Sequence, residues 1–223
     1  MWAIVPIKTF ARAKQRLANV LNEDERRSLM LAMARDVLTC LSQSETITGI
    51  LIVSRAREAD VLAETFDTER FAESPNVSLA GALTQAAHHL ISHFSARGVF
   101  IVPADVPAIT TDEVDNLVRS HNQVTVLPDS ENVGTNGLIC SPPLSVPYIF
   151  DGKSFKPHVD AAFAAGITPK IVPASCFALD VDTPKDLMAL HQQQPRSQTA
   201  IYLNRSGIAH RLNTNTHLAQ DNL

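Results

Sequence analysis

Short apolar runs rich in β-branched residues alternate along this chain with stretches whose apolar residues recur every three or four positions. That alternation constrains the fold most. The runs Trp2 to Ile7, Ile47 to Val53, Val99 to Val102, Val124 to Leu127 and Leu138 to Cys140 read as buried strands, with Ala178 to Val181 as the last. A long helix is expected over Glu23 to Ser42, because Asn22 is a good cap, Glu23, Asp24 and Glu25 suit its first turn, and Leu29, Met33, Val37 and Leu41 share a face. Further helices are expected over Ala56 to Phe66 and Leu79 to Phe94 and after a cap at Thr110 or Thr111. Another follows Ser154 and ends at Gly166, and a last one is entered through Pro184 with Asp182 or Thr183 as cap. Strands alternating with helices predict an α/β fold, a single domain with a mostly parallel sheet and helices on both faces. The domain is expected over residues 1–193. From Gln194 the chain is polar, rich in Asn and Gln and without steady periodicity, so residues 194–223 read as a poorly ordered tail with a short strand at Ala200 to Leu203.

Composition excludes several classes. A net charge of −4 over 223 residues provides no global basic field for nucleic acid. No run approaches the roughly 20 apolar residues of a membrane-spanning helix. The apolar start turns basic after Ile7, the wrong order for a secretory signal. Cys40, Cys140 and Cys176 are scattered in apolar contexts and read as reduced thiols, which suits a cytoplasmic protein. His88, His89 and His93 lie on one helix without a carboxylate partner and read as surface residues.

In an open parallel sheet, ligands bind beyond the carboxyl ends of the strands. Three polar clusters fall at such ends. The first strand empties at Pro6 into a loop carrying Lys8, Arg12, Lys14 and Arg16, a cation set suited to a polyanion. Asp105 sits between Pro103 and Pro107 after another strand, and Asp180 and Asp182 stand two apart where the last strand ends. Three carboxylates beside such cations point to Mg²⁺ with a phosphate-bearing ligand, since Mg²⁺ commonly joins one or two carboxylates to substrate phosphates. Gly134-Thr135-Asn136-Gly137 adds amides and a hydroxyl in an expected polar loop. No P-loop or dinucleotide fingerprint and no Ser-His-Asp or Cys-His arrangement stands out.

Pro6-Ile7-Lys8, Ala13-Lys14-Gln15-Arg16-Leu17, Asp105-Val106-Pro107, Gly134-Thr135-Asn136, Ser154-Phe155 with His158, and Asp180-Val181-Asp182-Thr183-Pro184-Lys185-Asp186-Leu187 occur in this order. As a set, spanning roughly Met1 to Leu190, they resemble the phospholactate guanylyltransferase family of coenzyme F420 biosynthesis, whose members also use phosphoenolpyruvate or phosphoglycerate. The resemblance implies a nucleotide-diphospho-sugar-transferase-like (Rossmann-like) fold. It implies a guanylyltransferase that joins GMP from GTP to the phosphate of a small phosphorylated acid and releases pyrophosphate. Lys8, Lys14, Arg16 and Asn136 would then meet the nucleotide, with Lys14 and Arg16 catalytic. Thr135, Gly152 and Ser154 would hold the acid, and Asp105, Asp180 and Asp182 the Mg²⁺. A homodimer and contact with a downstream enzyme of the same pathway are compatible with it. Two residues depart from the pattern: Asp151 replaces a glycine beside the acid site, and Ala80 replaces an asparagine. The competing readings are a same-fold nucleotidyltransferase with a sugar-phosphate or pterin acceptor, and a non-catalytic GTP-binding protein. The first usually carries a glycine-rich loop after its first strand, whereas no glycine stands between Lys8 and Leu17.

Overall fold

The computed structural model describes residues 1–7 and 14–213. Lys8 and Arg12 of the expected basic loop therefore lie outside the described residues. The elements run β1 (Trp2–Pro6), α1 (Glu23–Ser42), β2 (Gly49–Val53), α2 (Glu58–Phe66), β3 (Glu69–Phe71), α3 (Leu79–Phe94), β4 (Val99–Ile101), α4 (Thr111–Arg119) and β5 (Val124–Pro128). They continue with β6 (Thr135–Cys140), α5 (Phe155–Ala164), β7 (Lys170–Ile171), α6 (Pro184–Gln193) and α7 (Gln198–Arg205). A last helical stretch covers residues 208–213.

Seven strands form one sheet in the order β3-β2-β1-β4-β6-β5-β7. All pairings are parallel except those of β6, which runs against both β4 and β5. The strands alternate their side chains between two cores. Ala3, Val5, Ile50 and Ile52 pack with α1, α2, α4, α6 and α7 on one face. Ile4, Leu51, Val53, Leu138 and Cys140 pack with α3 and α5 on the other. The three layers follow from period-2 strands flanked by helices with one apolar stripe, each fully buried Leu or Ile contributing about 1.5–3 kcal/mol. Cys40 and Cys140 are buried free thiols and Cys176 is a half-buried one.

Local chemistry sets the helix boundaries. Asn22 and Glu25 form a reciprocal capping box at α1, and Thr183 and Asp186 form another at α6 with Pro184 in the first turn. Thr110 caps α4 through the Glu113 N–H. Within α4, buried Asp115 accepts from the Ser44 and Thr46 hydroxyls at 2.5 and 2.8 Å and from the Thr46 N–H at 3.1 Å, which anchors the α1–β2 connection. The Ser44 hydroxyl above all, with the Thr46 donors, holds its carboxyl at about 2, against the opposing effect of burial. A carboxyl depressed in the fold stabilises above its unfolded value and loses that contribution as pH falls through the folded one. Asp115→Ala should cost about 1–3 kcal/mol by leaving donors unpaired. Urea unfolding should show that loss at pH 7 and a much smaller difference between variant and parent at pH 2.

Three expectations are corrected. Ala178 to Val181 is not a strand: Cys176–Ala178 forms a 3-10 turn and the following segment is extended, tied to the rim by the Val181 N–H to the Asp105 carbonyl at 3.0 Å. Thr135 to Gly137 belong to strand β6 and not to a loop. The segment 200–203 is helical, and the tail as far as residue 213 is packed: Ala200, Leu203, Ile208 and Leu212 are buried. Asp36 of α1 fixes the start of α7 by accepting the Gln198 and Thr199 N–H groups at 2.6 and 2.9 Å. Two short helices broken at Gly207, which adopts φ +72°, show no continuous period in sequence.

Candidate active site

The carboxyl ends of β1, β2 and β4 and the start of antiparallel β6 share one rim. Along it opens a cavity of about 780 Å³, within the range of small-molecule sites. Its walls include Lys14, Arg16, Asp105, Asp180 and Asp182 at the centre. Thr135, Gly152 and Ser154 line the part nearest β6, and Arg55, Glu73 and Val77 the part nearest β3. The three clusters expected at strand ends therefore do meet: Lys14, Arg16, Asp105, Thr135, Asn136, Gly152, Ser154, Asp180 and Asp182 all line this cavity, while Lys8 and Arg12 lie outside the described residues.

Lys14 is the hub. It adopts the left-handed conformation at φ 53°, ahead of the 3-10 turn Gln15–Leu17 that buried Leu17 anchors in the core. This turns its side chain inward, where it is 5% exposed. Its ammonium donates to Asp105 Oδ2 at 2.7 Å and to Asp182 Oδ1 at 2.6 Å. Burial alone would lower its pKa, but the two carboxylates outweigh that and hold it raised, so the amine is charged. Arg16 is solvent-exposed and approaches Asp182 Oδ2 at 3.6 Å.

Asp180 stands apart from this pairing. Its carboxylate accepts from Asn136 Nδ2 at 3.2 Å, and the same amide nitrogen donates to the Phe177 carbonyl at 2.9 Å. Asn136, expected on the nucleotide, thus has its amide hydrogens engaged in holding Asp180. Burial, with the charges of Asp105 and Asp182, raises the pKa of Asp180 against the Asn136 bond. Among the described residues no group of three His, Cys, Asp or Glu lies close enough to grip a metal ion. The expected three-carboxylate set is not closed into a cage, because the Lys14 ammonium lies between Asp105 and Asp182. Even so, Asp105, Asp180 and Asp182 line the same cavity, two of them sharing the Lys14 ammonium, and such carboxylates suit a divalent cation that brings phosphate ligands of its own.

At β6, Leu127 pairs with Gly137 and Pro128 with Thr135, so Asn136 is an extra residue in the ladder, a β-bulge. It breaks the alternation: Ile139 packs in the core beneath α1, yet Thr135 turns to α5 and hydrogen-bonds His158 Nδ1 at 3.0 Å. Gly137 admits the close packing, since a Cβ there would lie 2.5 Å from Leu127 Cδ1. Asp129, a residue the sequence reading missed, orders the preceding turn by accepting the Glu131, Val133 and Gly134 N–H groups. Its signal was the Pro-Asp-Ser sequence of an Asx turn. Arg55 and Glu73, also missed, pair at 3.0 Å on the cavity wall, with no sequence spacing to mark them.

Ser154 stands at the start of α5 without capping it by its side chain and is buried against the cavity. The Asp151 carboxylate accepts the Lys153 N–H at 3.1 Å and closes its own turn, while Phe150 and Gly152 form the wall. The extra carboxylate is thus occupied on the turn.

A family model described as "Guanylyl transferase CofC like" matches residues 1–220. The chain belongs to this family. Its membership makes it a nucleotidyltransferase of guanylyltransferase type. This family member is 32% identical over 220 residues to the 2-phospho-L-lactate guanylyltransferase of Methanobrevibacter ruminantium, covering 93% of this chain and 92% of that one. It is 31% identical over 195 residues to the phosphoenolpyruvate guanylyltransferase of Conexibacter woesei, covering 86% and 87%. Among solved structures it is similar to a Desulfovibrio desulfuricans G20 protein provisionally described as a nucleotide-diphospho-sugar transferase, with a TM-score of 0.78, 18% identity and coverage of 94% and 96%. A 4-diphosphocytidyl-2C-methyl-D-erythritol synthase shares the fold at a TM-score of 0.61, with 13% identity over 86% of this chain and 97% of that one. Among the described residues no helix is long and apolar enough to cross a membrane.

Proposed function

We propose that the protein transfers GMP from GTP to the phosphate of a small phosphorylated acid, 2-phospho-L-lactate, phosphoenolpyruvate or 3-phosphoglycerate, in coenzyme F420 biosynthesis in the cytoplasm. The observation that carries this reading is the Lys14 ammonium bonded to Asp105 and Asp182, with Asp180 on the wall of the same cavity. Both reactants would bring phosphate to that point from opposite sides. The nucleotide would occupy the part lined by Arg55, Glu73 and Val77, with its triphosphate at Lys14 and Arg16. The acid would meet Thr135, Gly152 and Ser154. A phosphate oxygen of the acid attacks the α-phosphorus of GTP, a new P–O bond forms, and the α–β anhydride bond breaks with its electron pair leaving on pyrophosphate. That oxygen is already ionised near neutrality, so no strong general base is needed, consistent with a cavity lined by a lysine and aspartates and, among the described residues, by no histidine. Catalysis then rests on positioning and charge, to which Lys14 contributes a fixed ammonium. Asp105, Asp180 and Asp182 are the residues that would hold Mg²⁺, which supplies charge neutralisation of the phosphates when bound. Asn136 serves this set by fixing Asp180.

Mass spectrometry of products from GTP with each of the three acids, run separately, tests the reading. A GMP adduct of at least one acid, with pyrophosphate in equal amount, is expected. Nucleotide binding without an adduct from any acid would overturn it.

A further inference from the structure

His158 is fully buried, and both of its ring nitrogens are engaged. The Ile149 backbone N–H lies 2.9 Å from Nε2. A backbone N–H has no lone pair to offer, so Nε2 must accept and cannot carry a proton. Neutral imidazole then has its proton on Nδ1, and that N–H donates to Thr135 Oγ1, 3.0 Å away. The ring lies edge-on to Phe150 with centroids 5.2 Å apart, and burial pushes its pKa down to about 4 against the Asp151 charge and a backbone hydrogen bond with Ser154. The neutral form is thus the one present at physiological pH.

The consequence falls on Thr135. A hydroxyl has one proton and accepts through its oxygen. With Oγ1 accepting from His158, the hydroxyl proton is left to point elsewhere, and Thr135 lines the cavity. With the opposite tautomer, the threonine proton would be drawn to the ring and oxygen lone pairs would face the ligand. That arrangement repels an anion, whereas the one that the Ile149 N–H dictates leaves the hydroxyl free to donate to it.

We infer that His158 is a positioning residue that makes Thr135 an obligatory hydrogen-bond donor toward an anionic oxygen of the acid, a phosphate or carboxylate. The inference rests on the proposed function for the identity of that ligand. The same ring ties the donor to the Tyr148–Phe150 segment that leads to Gly152 and Ser154, so both sides of the acid site are set by one imidazole. The two ring bonds run to Thr135 and Ile149, on the side of the cavity assigned to the acid, and the Asp151 charge lies on that same side.

Two measurements test it. In ¹⁵N spectra of the unaltered protein, Nδ1 of His158 should be protonated and Nε2 bare between pH 6 and 8, and a proton on Nε2 would overturn the proposal. In steady-state kinetics, His158→Gln can keep an acceptor for Ile149 through Oε1 but withdraws the Nδ1–H placed against Thr135. It should raise the KM for the acid about tenfold, the worth of one hydrogen bond, with the KM for GTP unchanged. Thr135→Val should do the same, and the double variant should be no worse than Thr135→Val alone. Effects that multiply, or an equal rise in both KM values, would show a merely structural histidine and overturn the proposal. Absence of any turnover by the unaltered protein would instead defeat the proposed reaction, while the nitrogen spectra still decide the tautomer.

Discussion

Replacing Lys14 by methionine should lower turnover by roughly 10²–10³, the loss of about 2.7–4 kcal/mol typical when one charge-stabilising donor is removed. Methionine keeps the apolar stem, which is 5% exposed, so packing is largely retained while the charge is lost. The change also leaves the Asp105 and Asp182 carboxylates without the ammonium now bonded to both. Two consequences separate a catalytic hub from a structural bridge. Turnover should fall far more than thermal stability, and the variant should bind Mg²⁺ more tightly in the absence of GTP because its carboxylates have lost their internal cation. Lys14→Arg should not restore activity, because a planar guanidinium cannot place one point charge between two carboxylates in the same pocket. Pyrophosphate release, thermal melts and Mg²⁺ titration would check these outcomes. A methionine variant with near-parental turnover would remove Lys14 from the mechanism.

The second large effect is expected at Asp105. Asp105→Ala should reduce turnover by a similar roughly 10²–10³. Its backbone carbonyl accepts the Val181 N–H, a bond that alanine retains, so the extended segment bearing Asp180 and Asp182 keeps its attachment. The loss is confined to the carboxylate. If that carboxylate contributes to holding Mg²⁺, raising the metal concentration should recover part of the rate. If it serves Lys14 alone, the deficit should not respond to Mg²⁺. Removing metal with a chelator should abolish turnover of the parent protein, and full activity under chelation would eliminate the metal from the reaction.

Much of this architecture is written locally in the chain. The Asn22 and Glu25 cap, the acidic first turn of α1 and the spacing from Leu29 to Leu41 depend on neighbouring residues alone, and the helix lies where they place it. The same holds for α3 and for the Thr183-Pro184 entry to α6. What is not local was misread. The direction of β6 depends on which strand it joins, so nothing in Thr135 to Cys140 announces an antiparallel partner. Ala178 to Val181 has a strand's composition but finds a rim, where the bonds of Ser130 N–H to the Ala178 carbonyl and of Val181 N–H to the Asp105 carbonyl stand in place of a full ladder. The packed tail is held by Asp36, more than 160 positions away in sequence, a contact that no window along the chain contains.

The site divides in the same way. Lys14, Arg16, Asp105, Asp180 and Asp182 were visible because charged residues at predicted strand ends converge by topology. The distribution of roles among them was not. That Lys14 closes the gap between two of the aspartates, and that Asn136 is turned toward Asp180, depends on distances across four segments of chain. His158 was legible as part of a motif, but its two bonds required the folded positions of Ile149 and Thr135.

The bulge at Asn136 makes the site a matter of parity. In an uninterrupted strand, Thr135 would share a face with Gly137 and Ile139, and Asn136 would share one with Leu138 and Cys140. One supernumerary residue exchanges the two, sending the hydroxyl to the helix layer of α5 and the amide to the layer of Phe177 and Asp180. The hydroxyl and the amide thereby lie on the faces opposite to those that an uninterrupted strand would give them. Lengthening the Asp129 turn would leave that arithmetic intact as long as the ladder from Gly137 to Cys140 is kept. Deleting the single extra residue would leave Thr135 opposite Pro128 on the α5 face and remove the amide that holds Asp180, with the hydrophobic core and nearly every backbone bond of the sheet still in place.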